Sequence, residues 1–160
     1  MNYIIDGHNL IGKMSGLDLG MVDDELRLIE LLNRFGQHNR GKVEVYFDGA
    51  PLGQAGVRNF GRVRAHFVPQ RQTADEAIRL RLRKLGKSAR NWVVVSSDRS
   101  VQAAGREAQA RVMPAEDFAQ RMQASFQVSS GDEQDSAELP LNEQEVNEWL
   151  ELFSGRGKPK

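Results

Sequence analysis

Three aspartates stand where short apolar runs end. Asp6 closes Tyr3-Ile4-Ile5, Asp48 closes Val43-Glu44-Val45-Tyr46-Phe47, and Asp98 follows Trp92-Val93-Val94-Val95-Ser96-Ser97. A fourth, Asp75, lies in Thr73-Ala74-Asp75-Glu76 at the apparent start of a helix. Carboxylates so placed suit one kind of chemistry. Two of them about 4 Å apart repel by roughly 4 kcal/mol at an effective dielectric near 20, so a cluster must either keep a proton or hold a cation. Mg²⁺ and Mn²⁺ are the natural guests of carboxylate, water and phosphate oxygens. The chain has no cysteine, and its only histidines are His8, His38 and His66, so zinc fits less well. A divalent cation among aspartates orients and acidifies water and neutralises a scissile phosphate, which points to phosphodiester hydrolysis.

Each acid also has a plainer reading. Asp-Gly, at Asp6-Gly7 and Asp48-Gly49, is a hairpin signal, but a hairpin needs an alternating return strand and neither following segment alternates. Crossover connections are expected instead. Asp98 is placed to cap the next helix. Thr73 and Glu76 satisfy a capping box, and an acid in the first turn is favoured by the helix dipole, so Asp75 and Glu76 taken alone read as structural. The conjunction of four is what favours a site.

The elements that must position these acids read as α/β. Strands are expected at Tyr3–Ile5, Val43–Phe47, Val63–Val68, Trp92–Val95 and Arg111–Met113, alternating with helices over 24–38, 74–85, 99–109 and 114–123. That alternation describes a mainly parallel sheet with helices on both faces. In such a sheet the carboxyl ends of the strands share one edge, where open α/β proteins bind their ligands. Helix 24–38 should bury Leu26, Ile29, Leu32 and Phe35.

The compact domain is expected over residues 1–124. Residues 125–141 read as an acidic, polar linker, 142–154 as an amphipathic helix carrying Val146, Trp149, Leu150 and Phe153 on one face, and 155–160 as a basic tail. Net charge is zero, yet residues 125–160 hold eight acids against three bases, leaving an excess of five positive charges before them. Ten Arg or Lys lie within residues 58–90 against two acids. A polyanion is the partner this suggests. Absence of cysteine, of a signal-like start and of any long apolar run leads to a cytoplasmic location and no membrane partner as expectations.

The opening Tyr3-Ile4-Ile5-Asp6-Gly7-His8-Asn9-Leu10-Ile11, Val45-Tyr46-Phe47-Asp48-Gly49, Thr73-Ala74-Asp75-Glu76-Ala77-Ile78 and Val94-Val95-Ser96-Ser97-Asp98-Arg99 occur in that order. Together they resemble the NYN-domain, YacP-like group of PIN-like nucleases over about residues 1–124. The resemblance implies a three-layer α/β/α fold whose acids, here Asp6, Asp48, Asp75 and Asp98, bind Mg²⁺ or Mn²⁺ to cleave RNA, with Glu76 as a helper. It also implies that His8 lines the site and that Asn9 and Ser97 orient an acid or touch substrate. Arg58, Arg62, Arg64, Arg71, Arg79 and Arg83 are the cations expected to hold an RNA backbone, and residues 53–60 read as a Gly-rich, basic loop.

The reading reached is a metal-dependent endoribonuclease. Messenger, ribosomal and transfer RNA are not distinguished, and the ribosome is left open as a partner. A non-catalytic RNA- or ribosome-binding adaptor of the same fold is the alternative. A small-ester phosphatase is disfavoured because Asp6-Gly7-His8 lacks a paired Asp-x-Asp, and a receiver domain because the Arg111–Met113 strand offers no lysine.

Overall fold

A computed structural model describes residues 1–14, 22–51 and 53–131. The chain runs β1 (Asn2–Asp6), α1 (Gly7–Ile11), α2 (Val22–Asn39), β2 (Val43–Ala50), β3 (Gly56–Phe60), β4 (Val63–Pro69) and α3 (Ala74–Leu85). After a 3₁₀ segment, Gly86–Asn91, come β5 (Trp92–Val95), α4 (Arg99–Glu107), β6 (Arg111–Met113) and α5 (Ala115–Gly131). The six strands form one sheet in the order β3-β4-β2-β1-β5-β6. Every neighbouring pair is parallel except β3 with β4. The α/β architecture with a mainly parallel sheet is the one expected.

The central strands β1, β2 and β5 are largely apolar because both faces are covered. Tyr3, Ile5, Val45, Phe47 and Val95 pack with Leu28, Leu32 and Phe35 of α2 and with Phe118 and Met122 of α5. Tyr3, Phe35 and Phe118 meet as three rings with centroids 5.1 to 5.5 Å apart. Ile4, Tyr46, Trp92 and Val94 face the other way, onto Ile78 and Leu82 of α3 and Val101 and Ala104 of α4. Each such side chain contributes about 1.5–3 kcal/mol through burial. Gly7 follows Asp6 because a Cβ there would run into the Phe47 ring and the Tyr46 carbonyl.

Among the buried polar groups, Glu44 shows how a charge is compensated inside this core. Glu44 is buried, and Arg81 grips it with two hydrogen bonds of 2.8 Å while the Tyr46 hydroxyl donates a third at 3.1 Å. Arg81 also lies over the Trp92 ring, 5.5 Å from its centroid. One of the ten cations of the basic stretch is therefore spent inside the fold.

Three expectations need correcting. Residues 56–60 are not loop but an antiparallel edge strand, joined to β4 through Gly61, whose φ of 62° suits a tight turn. An edge strand buries little, and Val57 is 56% exposed, so no apolar alternation announces it. Leu26 is 45% exposed and lies off the α2 core face, which holds Leu28, Ile29, Leu31, Leu32 and Phe35. At about 100° per residue, nine residues set Leu26 opposite Phe35. Helix α5 runs on to Gly131 and buries Phe126, entering the stretch expected as linker. The expected helix at 142–154 and tail at 155–160 lie outside the described residues. Among those described, no helix is long and apolar enough to cross a membrane.

Candidate active site

Strand order reverses at β1, which has β2 on one side and β5 on the other. The crevice at the carboxyl ends of such strands is the usual ligand site of an open α/β sheet. Parallel neighbours lie about 4.8 Å apart, so the ends of three adjacent strands bring their side chains together. Asp6 ends β1, Asp48 lies near the end of β2, and Asp98 follows β5.

Asp6 occupies the middle. Its Oδ2 accepts a 3.1 Å hydrogen bond from the Ser96 hydroxyl. Burial above all pushes its carboxyl from 3.8 up to about 6. The Ser96 hydrogen bond opposes the rise, whereas the negative charges of Asp48 and Asp98 add to it and His8 pulls it down. Asp6 thus feels the charge of both neighbouring aspartates.

Asp48 sits where the β2–β4 register shifts between Phe47 and Ala50, beside Gly49 at a φ of 78°. Such an irregularity re-aims a side chain. Its Oδ2 accepts from the Ala74 amide at 3.4 Å, and its Oδ1 is 3.1 Å from His8 Nδ1. Asp98 caps α4 as its position suggests, accepting from the amides of Ser100 and Val101. Its own amide donates to Ser96 Oγ at 3.0 Å. Ser96, fully buried, therefore links Asp6 to Asp98.

Asp75 is turned differently. Its carboxylate takes a 2.7 Å bond from Arg79 Nε and another from the Ser100 hydroxyl. Ser100 also gives its amide to Asp98, so it bridges the fourth acid to the group of three. Glu76 completes a capping box: its carboxylate accepts from the Thr73 amide, and its own amide donates to the Thr73 hydroxyl.

His8 has both ring nitrogens engaged, Nε2 lying 2.6 Å from Glu25 Oε2 and Nδ1 against Asp48. The Glu25 hydrogen bond, more than any other influence, raises its pKa above 6.5; burial opposes this, and Asp48 reinforces it. Asn9 Oδ1 accepts from the Ser97 amide at 2.7 Å, and the Ser97 hydroxyl donates to Glu116 while accepting from the Ala115 amide. These two residues tie α1 to the segment after β5, and that segment to the start of α5.

The six arginines fall on separate elements. Arg58, Arg62 and Arg64 belong to the β3–β4 hairpin, where Arg58 lies 4.9 Å over the Phe67 ring and Arg64 bonds to Asn59. Arg71 is exposed between β4 and α3, and Arg79 and Arg83 lie on α3. Sequence reasoning missed Ser96, Ser100 and Glu25. The Ser96-Ser97 pair was a visible signal that did not say which hydroxyl faces Asp6, and Glu25 carried none.

The family profile for the YacP-like NYN domain matches residues 3–153. The chain belongs to that family. NYN domains form part of the PIN-like nuclease superfamily, so the resemblance read from the four motifs holds. Two crystal structures of Rae1 (YacP) from Bacillus subtilis share the fold. One, of a Trp-to-Leu mutant, gives a TM-score of 0.71 at 22% identity over 95% of this chain and 91% of that one. The other gives 0.71 at 23% identity over 86% and 83%. No curated protein matches.

PIN-like nuclease domains typically use divalent metals. Among the described residues, no three potential ligands already surround one point. The donor chemistry nevertheless fits: the Asp6, Asp48 and Asp98 oxygens are hard ligands, and Asp6 bears the burial and repulsion that a cation would relieve.

Proposed function

We propose that this YacP-like NYN domain is a divalent-metal-dependent endoribonuclease, with Asp6, Asp48 and Asp98 holding Mg²⁺ or Mn²⁺ and Asp75 completing the site. What supports the reading is the placement of Asp6, Asp48 and Asp98 at or just after the ends of three adjacent strands where strand order reverses, with the central carboxyl pushed up to about 6. A bound divalent cation there would neutralise phosphate charge and lower the pKa of water. Ser96 holds the Asp6 carboxylate and the Asp98 backbone in one geometry. His8, fixed by Glu25, steadies Asp48 and offsets negative charge. Asn9 and Ser97 brace the loops around the crevice, and the arginines, Arg79 nearest the acids through Asp75, supply sequence-independent contacts to the backbone of an RNA strand. Glu76 is occupied by its cap, so we give it no further part.

The test is cleavage of an end-labelled single-stranded RNA by wild-type protein and by Asp6→Asn and Asp98→Asn variants, with Mn²⁺, Mg²⁺ or EDTA and circular dichroism as the folding control. Cutting that needs metal and disappears in folded variants is expected. RNA binding without cutting, insensitive to chelation and to these substitutions, would instead establish the adaptor.

A further inference from the structure

Helix α3 leaves the carboxyl edge of the sheet at Asp75 and runs back beside α4. Arg79 and Arg83 recur at a four-residue interval along it, and Lys87 follows four residues later in the 3₁₀ segment. Arg79 and Arg83, so spaced, stand about 6 Å apart on one helix face, and Lys87 lies beyond the helix end at Gly86. The three cations line a groove of about 460 Å³ between α3 and α4, floored by Leu82 and Ala104. Glu107 is the one acid in its lining.

The two ends of the groove differ. At the upper end Arg79 is held by Asp75 and Ser100, and Ser100 in turn caps onto Asp98, so the groove opens from the acidic site itself. Further down, Arg83 and Lys87 are exposed and have no carboxylate partner among the described residues. Free cations usually scatter over a surface. Here they are aligned in a concave channel whose only break in positive charge is Glu107.

We infer that the α3–α4 groove is a second binding site, one that takes successive phosphates of a nucleic-acid strand leading away from the acidic site, with Arg79 at the junction and Arg83 and Lys87 as the distal contacts. The inference rests on the nuclease reading for its ligand. It adds Lys87, which the sequence had not singled out, and separates Arg83 from the arginines of the β3–β4 hairpin. Three cations along one groove with an apolar floor read backbone charge, not base identity, so the site serves strands of any sequence. Its effect is to hold a long strand in register while the scissile phosphate meets Asp6.

The test is fluorescence anisotropy with a labelled single-stranded RNA of mixed sequence in EDTA, titrated across salt, using the full chain. Wild type is compared with Arg83→Ala/Lys87→Ala and with Arg27→Ala/Arg121→Ala, which removes the same charge from α2 and α5 on the opposite face of the sheet. Removing two phosphate contacts should make the slope of log K against log salt shallower by about 1.4 and weaken binding roughly tenfold at low salt. The control pair should keep the wild-type slope. Equal slopes for the two double variants overturn the groove, and leave an acidic protein segment as its better occupant. If wild type still cuts RNA with Mn²⁺ in that case, the nuclease reading survives alone; wild type that neither binds nor cuts RNA overturns both.

Discussion

Asp6→Asn should make the metal-free protein more stable while removing the proposed RNA cleavage. In the folded chain the Asp6 carboxyl titrates at about 6, against 3.8 for an unperturbed group. At 1.36 kcal/mol per pH unit, this is a cost of about 3 kcal/mol for holding the ionised form in place, and its partial exposure brings the expected effect to roughly 1–3 kcal/mol. The folded state keeps this proton to higher pH than the unfolded chain does. Stability from the protonated form is therefore complete below about 4 and is lost as pH rises through about 6. Asn carries no such charge and still offers an oxygen to the Ser96 hydroxyl. Urea unfolding followed by circular dichroism in EDTA should thus show wild type and variant alike near pH 4 and the variant ahead at pH 8. A thermal melt would show the gap as roughly 2–4 °C per kcal/mol. Adding Mn²⁺ or Mg²⁺ should close it, because a cation held by the folded wild type stabilises it through mass action. A variant no more stable than wild type at pH 8 in EDTA would refute the claim that burial and repulsion strain this centre.

Three further outcomes follow from other contacts. Ser96→Ala removes the hydrogen bond that holds the Asp6 pKa down, so the acid limb of a pH–rate profile in Mn²⁺ should move to higher pH; an unmoved limb would show that Asp6 ionisation does not govern activity. Glu25→Gln weakens the chief support of the raised His8 pKa, whose contribution is complete below 6.5 and fades as pH rises through the raised value, so urea unfolding should show a loss of about 1.5 kcal/mol at pH 6 that shrinks toward pH 9. A loss that does not change with pH would count against that account. Arg81→Ala leaves Glu44 buried without its cation and should cost about 3–5 kcal/mol, part of it recovered when Glu44 is replaced by Leu as well; a loss below 1 kcal/mol would mean water reaches Glu44.

The fold and the place of three aspartates at the carboxyl edge of the sheet were legible because buried parallel strands cannot hide. Strands covered on both faces must be largely apolar, so β1, β2 and β5 stood out, and the aspartates at or just after their ends lie along one edge. The ordered motifs of the NYN family were legible in the same way. Strand β3 was not, because an exposed edge strand buries too little to impose a pattern. Leu26 was misplaced because spacing by three drifts around a helix of 3.6 residues per turn.

Which aspartates share a field, and which side chains hold them, was decided only by tertiary structure. Asp75 is as suggestive in the sequence as Asp98, yet it is directed onto Arg79 and Ser100, whereas Asp98 raises the Asp6 pKa from the cap of α4, just beyond β5. Ser96 rather than Ser97 faces Asp6 because successive residues leaving a strand point in different directions, and no composition records which. Glu25 reaches His8 across seventeen residues of chain, and Arg81 reaches Glu44 across thirty-seven. The types and order of the residues determined that carboxylates would gather at the end of this sheet. Their partners, the raised Asp6 pKa and the gathering of Arg79, Arg83 and Lys87 along the α3–α4 groove depend on distances between segments remote in the chain, and those distances exist only once the helices have packed on the sheet.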